Sequence, residues 1–241
     1  QSADIISILK IAKKHKLKVI SDSAQAIGTK INGKFSGTLA DVGGFSLNYH
    51  KHINTGEGGI IVTNNTKIYK KLLLIRNHGE MAVNNKNKKS ELVNIIGQNF
   101  RLGEIECAIG IEQLKKLNSL IKKRQILANR LTKGLRTLVG LKIPTISKGC
   151  THSYYKYPLV LDEKIKNKRR RIKKALEFEG ISGLSEGYIC THLLPMYQKK
   201  IAYGSKGYPW NSLSKKNQVS YKKGICPVAE ELHFKSYLGF S

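Results

Sequence analysis

The chain has 241 residues, 40% of them hydrophobic, with 43 lysines and arginines against 16 acids and a formal charge of +27. That length can bury a sizeable core as one large domain or two small ones, and no apolar run approaches the roughly 20 residues that span a bilayer. The basic excess is spread along the chain, with local clusters at 86–89, 164–174 and 215–223. No helix-turn-helix, zinc finger or RNP-like aromatic run accompanies it, so it reads as solvated faces with a general pull on anionic substrates. No nucleic-acid or membrane partner is expected.

Cys107, Cys150, Cys190 and Cys226 lie far apart with no C-x-x-C pair. This fits reduced thiols in a cytoplasm rather than a disulfide framework or a zinc site. No signal-peptide pattern is visible, and a cytoplasmic location is expected.

In chain order, Ile5, Ile8, Leu9 and Ala12 mark one face of an opening helix. Leu17 to Ile20 then reads as an apolar strand that ends in Ser21-Asp22-Ser23-Ala24-Gln25. An acid just past the carboxyl end of a buried strand is a site position in open α/β sheets. It is equally an ordinary N-cap or Asx-turn. Asp41 to Asn64 follows, as strand, polar turn, lysine, glycine-rich turn and strand. Val42–Leu47 and Ile60–Val62 are the two strands. Lys51 sits between them and, taken alone, reads as a solvated loop lysine. Beside Asp22 and Ser46, however, it completes a set. A lysine for a Schiff base, an acid to keep a pyridine nitrogen protonated and a hydroxyl for phosphate are what a pyridoxal 5'-phosphate site requires.

The stretch VISDSAQAIGTKINGKFSGTLADVGGFSLNYHKHINTGEGGIIVTN resembles the DegT/DnrJ/EryC1/StrS family of sugar aminotransferases. It keeps that family's D-x-A-Q as Asp22, Ala24 and Gln25, and a glycine–lysine turn as Gly28, Gly33 and Lys34. Ser46, Lys51 and Gly56-Glu57-Gly58-Gly59 match the lysine turn, with Leu47 where phenylalanine is usual. Arg76-Asn77-His78-Gly79 looks like R-x-H-G. Asn99-Phe100-Arg101-Leu102, with Glu104, Ala108, Gly110 and Gln113-Leu114, looks like N-Y-R-x-x-E-x-x-A-x-G-x-x-Q-L. The resemblance is strongest over residues 17–117.

It implies a type I pyridoxal-phosphate α/β fold. Residues 1–120 would be the C-terminal part of the large mixed-sheet domain, and 121–241 a smaller C-terminal α/β domain. It also implies a fragment that lacks a large N-terminal portion and stops early at its end. In that comparison Lys51 carries the cofactor and Asp22 faces the pyridine nitrogen. Ala24 and Gln25 sit by the ring, Ser46 binds the phosphate, and Asn99 and Arg101 reach the phosphate of a neighbouring subunit in a homodimer. The implied reaction is transamination of a nucleotide-linked keto sugar by an amino-acid donor such as glutamate. Read from the residues alone, Arg101 is a surface ion-pair residue and Asn99 a helix cap. A dehydratase of the same fold, which typically replaces the lysine with histidine, is an alternative because His50 and His52 flank Lys51. A member without catalysis and a basic nucleic-acid-binding protein are two others.

Downstream, Lys67–Arg76 reads as a helix with Ile68, Leu72 and Ile75 on one side, and Arg76–Asn99 as a polar surface loop. Gly103–Leu135 is a long helical stretch, with a break allowed in the middle, on the face Ile105, Ile109, Leu114, Leu117 and Ile121. Tyr155–Leu161 reads as a strand and Ile165–Glu179 as a basic amphipathic helix, in a strand–helix–strand small domain. His192, with Pro195, Met196 and Tyr197, resembles the family's H-x-x-P-x-Y segment near the sugar pocket. It is otherwise a core or surface histidine. Tyr203–Trp210 is a loop, and Cys226–Glu231 starts a final helix. No metal-ligand spacing is found.

Overall fold

The computed structural model describes residues 1–80 and 95–240. Residues 81–94 of the expected Arg76–Asn99 loop lie outside the described ones. In chain order the elements are α1 (Ile5–Lys14), β1 (Ile20–Asp22), β2 (Lys30–Ile31), β3 (Lys34–Phe35), β4 (Val42–Ser46), β5 (Gly59–Val62), α2 (Thr66–Arg76) and α3 (Glu104–Leu135). Then come β6 (Leu141–Lys142), β7 (Tyr157–Leu161), α4 (Arg169–Phe178), β8 (Leu184–Ser185), α5 (Pro195–Lys199), α6 (Pro227–Glu231) and β9 (Tyr237–Phe240). They form two compact units. The first is Gln1–Ala128 with Ile146–Tyr155, and the second is Asn129–Thr145 with Lys156–Ser241. Among the described residues no helix is long and apolar enough to cross a membrane.

In the first unit, β1 runs parallel to β4, and β4 runs antiparallel to β5. The strand expected at Leu17–Ile20 forms instead at Ile20–Asp22. Asp41 sets this start. Its carboxylate accepts the Val19 backbone N–H at 2.9 Å and the Lys18 ammonium at 2.8 Å, so a side chain holds the residues before the ladder. Ile20 is 76% exposed, so the strand before Asp22 is not the buried one the sequence suggests, and Ile60 and Ile61 of β5 are exposed too. Gly43 allows a close approach. A Cβ there would lie 1.8 Å from the Gly37 carbonyl oxygen, so only glycine lets the Ser36–Thr38 turn pack on β4.

α2 starts at Asn65, whose side chain accepts the Lys67 and Ile68 N–H groups and satisfies two donors that the helix itself cannot. α3 is unbroken over Glu104–Leu135. Of its expected face, Leu117 and Ile121 are buried, whereas Ile105, Ile109 and Leu114 are exposed. Periodicity marks an apolar face, but a face is buried only where another element covers it. Leu117 and Ile121 join Ile27, Leu47 and Ile53 in the core cluster, with Phe45, Leu102 and Leu120 against it. Gly28 sits on this cluster with φ +74°, and a Cβ there would meet Ile121 Cδ1 at 2.3 Å. The positive φ is what demands glycine there, since the Ile121 methyl is the movable end of a side chain.

The second unit carries a four-stranded antiparallel sheet in the order β6-β7-β9-β8, rather than a single strand–helix–strand. β7 begins at Tyr157, two residues later than expected, after the left-handed turn at Tyr154 with φ +50°. Tyr157, Leu159 and Leu161 alternate inward on β7, and Leu238 of β9 is 1% exposed. The basic helix is shorter than expected, Arg169–Phe178, after a 3₁₀ turn at Lys166–Lys168.

Candidate active site

The site builds from the loop between β4 and β5. Leu47 donates its N–H to Gly58 O at 2.9 Å and accepts that of Thr55 at 3.0 Å, which closes the loop at its base. Leu47 and Ile53 are each 2% exposed and anchored in the core cluster. The residues between them are therefore held at both ends. Asn48 organises them further. Its N–H reaches Ser46 Oγ at 3.2 Å, its Oδ1 accepts the His50 N–H at 3.1 Å, and its Nδ2 reaches Glu57 at 2.7 Å. Lys51 N–H closes a turn on Asn48 O at 2.9 Å. A half-buried lysine is thus carried on a loop fixed by apolar anchors, which fits a functional loop on a rigid scaffold.

The Lys51 amine lies over the Tyr155 ring, 4.8 Å from its centroid. This is within cation–π range. Among the described residues no carboxylate pairs with it. Next to it, His52 is 7% exposed and donates from Nε2 to Ser153 O at 2.8 Å. Its Nδ1 is buried and meets no hydrogen-bond partner among the described residues. Burial first, then the positive charges of Arg124 and Lys51, push the His52 ring below its ordinary titration range, against the pull of the Ser153 carbonyl. The 149–155 segment that supplies these partners is stitched into the first unit. Asn32 N–H donates to Gly149 O, Thr151 N–H to Lys30 O, Arg124 to Tyr154 O at 2.9 Å and Gln125 to His152 O at 3.0 Å. His152 stacks on Tyr154 with centroids 4.1 Å apart and is pushed down to about 4, chiefly by burial.

Asp22 and Ser46 stand at the carboxyl ends of the parallel strands β1 and β4, in register Asp22↔Gly44. Asp22 is exposed and accepts the Ala24 N–H at 3.0 Å, the Asx-turn open to it from the sequence. No cation pairs with Asp22 among the described residues, which leaves an acid oxygen available. Ser46 accepts from Asn48, so its own hydroxyl proton is free to donate. Gln25 is exposed beside Ala24. The topology therefore brings Asp22, Ala24, Gln25, Ser46 and Lys51 to one end of one sheet.

Asn99 and Arg101 form a separate group of the first unit. Asn99 bridges to Asn77, its side chain accepts the Arg101 N–H at 3.4 Å, and Arg101 Nη1 donates to the Asn77 side chain. No hydrogen bond or ion pair among the described residues joins them to Asp22, Ser46 or Lys51. Asn99 does not cap α3, which starts at Glu104. His192 belongs to the second unit, where Nε2 meets Glu230 Oε1 at 2.8 Å. Burial pushes the Glu230 carboxyl up, but N–H groups of Gly224 and Cys226 and the His192 ring outweigh it and hold the group below its ordinary value. His52, Ser153 and Tyr155 were not among the expected site residues. The one signal for them was the aromatic, polar run His152-Ser153-Tyr154-Tyr155 ahead of a strand.

The donor set fits pyridoxal phosphate: an unpaired acid, a hydroxyl and a lysine without a counter-ion at the carboxyl end of a parallel strand pair. The fold is that of the pyridoxal-phosphate-dependent aminotransferases. The chain belongs to the DegT/DnrJ/EryC1/StrS aminotransferase family, which it matches over residues 1–220. It is 36% identical over 208 residues to the uncharacterized protein MJ1066 of Methanocaldococcus jannaschii, covering 84% of this chain and 54% of that one. It is 33% identical over 198 residues to the GDP-perosamine synthase of Vibrio cholerae, covering 82% and 52%. Among solved structures it resembles Helicobacter pylori PseC, an aminotransferase involved in the biosynthesis of pseudoaminic acid. The TM-score is 0.76 at 28% identity, over 98% of this chain and 57% of that one. The chain spans about half the length of the curated relatives it matches.

Proposed function

We propose that this chain carries the lysine-bearing part of an aminotransferase that moves an amino group from an amino acid, glutamate, to a nucleotide-linked keto sugar in the cytoplasm. The observation that carries the reading is Lys51 on its anchored loop, at the sheet end that also holds Asp22 and Ser46. The family and the names of the relatives support the reaction class and the sugar substrate.

Pyridoxal phosphate, when bound, supplies the electron sink. Lys51 is its covalent attachment point. Lys51 Nζ, once freed, would take the proton from the donor's α-carbon as general base and deliver it to the cofactor's C4′ as general acid. Asp22 holds a proton on the pyridine nitrogen, because an opposite charge favours the protonated form. Ser46 donates to the phosphate, and Ala24 and Gln25 border the ring. Asn99 and Arg101 serve the phosphate of a second copy in a homodimer, and His192 contributes to sugar recognition. The dehydratase alternative is less well supported, since Lys51 is present and His52 is turned inward to Ser153.

Borohydride reduction of the natural chain with pyridoxal phosphate, followed by peptide mapping, tests the reading. The cofactor is expected on Lys51, with loss of the absorbance of the linked form. Label on a different lysine refutes the assignment.

A further inference from the structure

Lys51 rests on an aromatic ring, as Lys30 does on Phe35 and Lys223 on Phe234. The Lys51 ammonium faces that ring, not an acid, at 4.8 Å from the Tyr155 centroid. That ring is not a chance neighbour on a floppy surface. Tyr155 follows Ser153 and Tyr154, whose carbonyls are taken by His52 Nε2 at 2.8 Å and Arg124 at 2.9 Å. The Ser153 hydroxyl is 1% exposed as a residue and accepts from Thr29 Oγ1 at 3.2 Å. Tyr154 takes φ +50°, a left-handed turn that a bulky residue adopts only when its surroundings enforce it. His52, next in sequence to Lys51, is also 5.9 Å from the Tyr155 ring centroid. One histidine therefore ties the lysine's own loop to the segment that presents the ring.

We propose that Tyr155 is a positioning residue, the resting place of the Lys51 amine whenever that amine is not covalently engaged. The inference rests on the reading of Lys51 as the cofactor-bearing residue. It has a consequence of definite sign. A contact made only by the free ammonium stabilises the unlinked state and opposes covalent attachment, since anything that favours one of two states shifts the balance toward it. Removing the ring strengthens attachment, whereas damage to the fold weakens it.

The test uses the natural chain freed of cofactor and titrated with pyridoxal phosphate, with the covalently linked fraction read by absorbance. Tyr155→Leu and Tyr155→Met are expected to tighten apparent attachment about two- to fivefold, the size of a partly exposed cation–π contact. Tyr155→Phe keeps the ring face and stays at the native value. In a Lys51→Met background, Tyr155→Leu leaves non-covalent cofactor affinity unchanged, because there is no ammonium to rest on the ring. Unchanged or weaker attachment in both Leu and Met variants overturns the proposal. So does a Phe variant that behaves like Leu, or an equal effect in the Lys51→Met background. Label elsewhere than Lys51 after borohydride overturns the functional reading and this inference with it. Label on Lys51 without the ring effect overturns this inference alone.

Discussion

Two cations, one in each unit, are held in opposite ways. Arg169 at the start of α4 is 9% exposed and surrounded by acceptors. Its Nη1 donates to Glu186 O at 3.1 Å and His233 O at 2.8 Å, its Nη2 to Phe234 O at 3.1 Å, and its Nε lies 3.5 Å from the Glu186 carboxylate. The His233 and Phe234 carbonyls belong to the turn at Leu232–Ser236, so the guanidinium satisfies groups of that turn. Among the described residues Lys51 has one aromatic face and no acid. A buried cation ringed by backbone acceptors is committed to the fold, while one with a weak, displaceable contact is available for chemistry.

The largest expected effects are on the available side. Lys51→Ala should abolish covalent capture and lower turnover by about 10⁴-fold, the upper range for losing a positioned acid–base group. Asp22→Asn should still capture the cofactor on Lys51, yet lose about 10²–10⁴-fold in turnover, because the ring nitrogen no longer keeps its proton. Borohydride trapping separates the two. An Asp22→Asn variant with near-native turnover would place the cofactor elsewhere.

Arg101 sharpens the contrast as an exposed cation whose side chain is hydrogen-bonded to Asn77. If it serves a second copy's phosphate, Lys51→Ala and Arg101→Ala subunits, each nearly inactive alone, should regain activity on mixing. The ceiling is half the native value per mixed dimer, since one site in two carries neither lesion in a twofold assembly. No recovery in mixed dimers confirmed by mass would assign Arg101 to its own subunit or to neither.

Arg169 should behave differently. Arg169→Ala leaves buried carbonyls without their donor and Glu186 with Lys173 as its cation, and should cost roughly 3–5 kcal/mol in denaturant unfolding. Cofactor capture by the molecules that remain folded should be unaffected. A stability change under about 1 kcal/mol would mean that solvent replaces the guanidinium easily, and the contrast would fail.

The sequence singles out one of these cations and hides the other. Lys51 is legible because local signals frame it: a short apolar run before it, a glycine-rich turn and a β-branched run after it, and Asp22 at a neighbouring strand end. Arg169 lies in a lysine- and arginine-rich run and looks like the rest of it. Its distinction comes from backbone carbonyls more than 60 positions away, which have no residue signature. The His52–Ser153 contact was hidden for the same reason, since it joins positions 101 apart. Periodicity located α3 and its apolar side, but Ile105 and Leu114 show that it could not say how much of that side is covered. The start of β1 depended on Asp41, a side chain from another element competing for the Val19 backbone.

The smallest expected effect concerns the histidines behind Lys51. Burial depresses both His52 and His152 in the folded state, His152 to about 4 from an ordinary 6.5. In this window the unfolded chain binds more protons than the folded one, so stability rises with pH. The contribution is complete above about 6.5 and is lost as pH falls toward about 4. His152 is partly open to solvent, so screening should hold the joint effect to about 1–2 kcal/mol. Two substitutions keep the hydrogen bonds and remove the titration. In His152→Asn, Oδ1 can accept the Tyr154 N–H that Nδ1 accepts now. In His52→Gln, Nε2 can donate to Ser153 O. Denaturant midpoints near pH 7 and near pH 5 should then differ less in the double variant than in the native chain. An equal acid sensitivity in both would assign it to the carboxylates and would leave the His52–Ser153 tie with no part in the pH response.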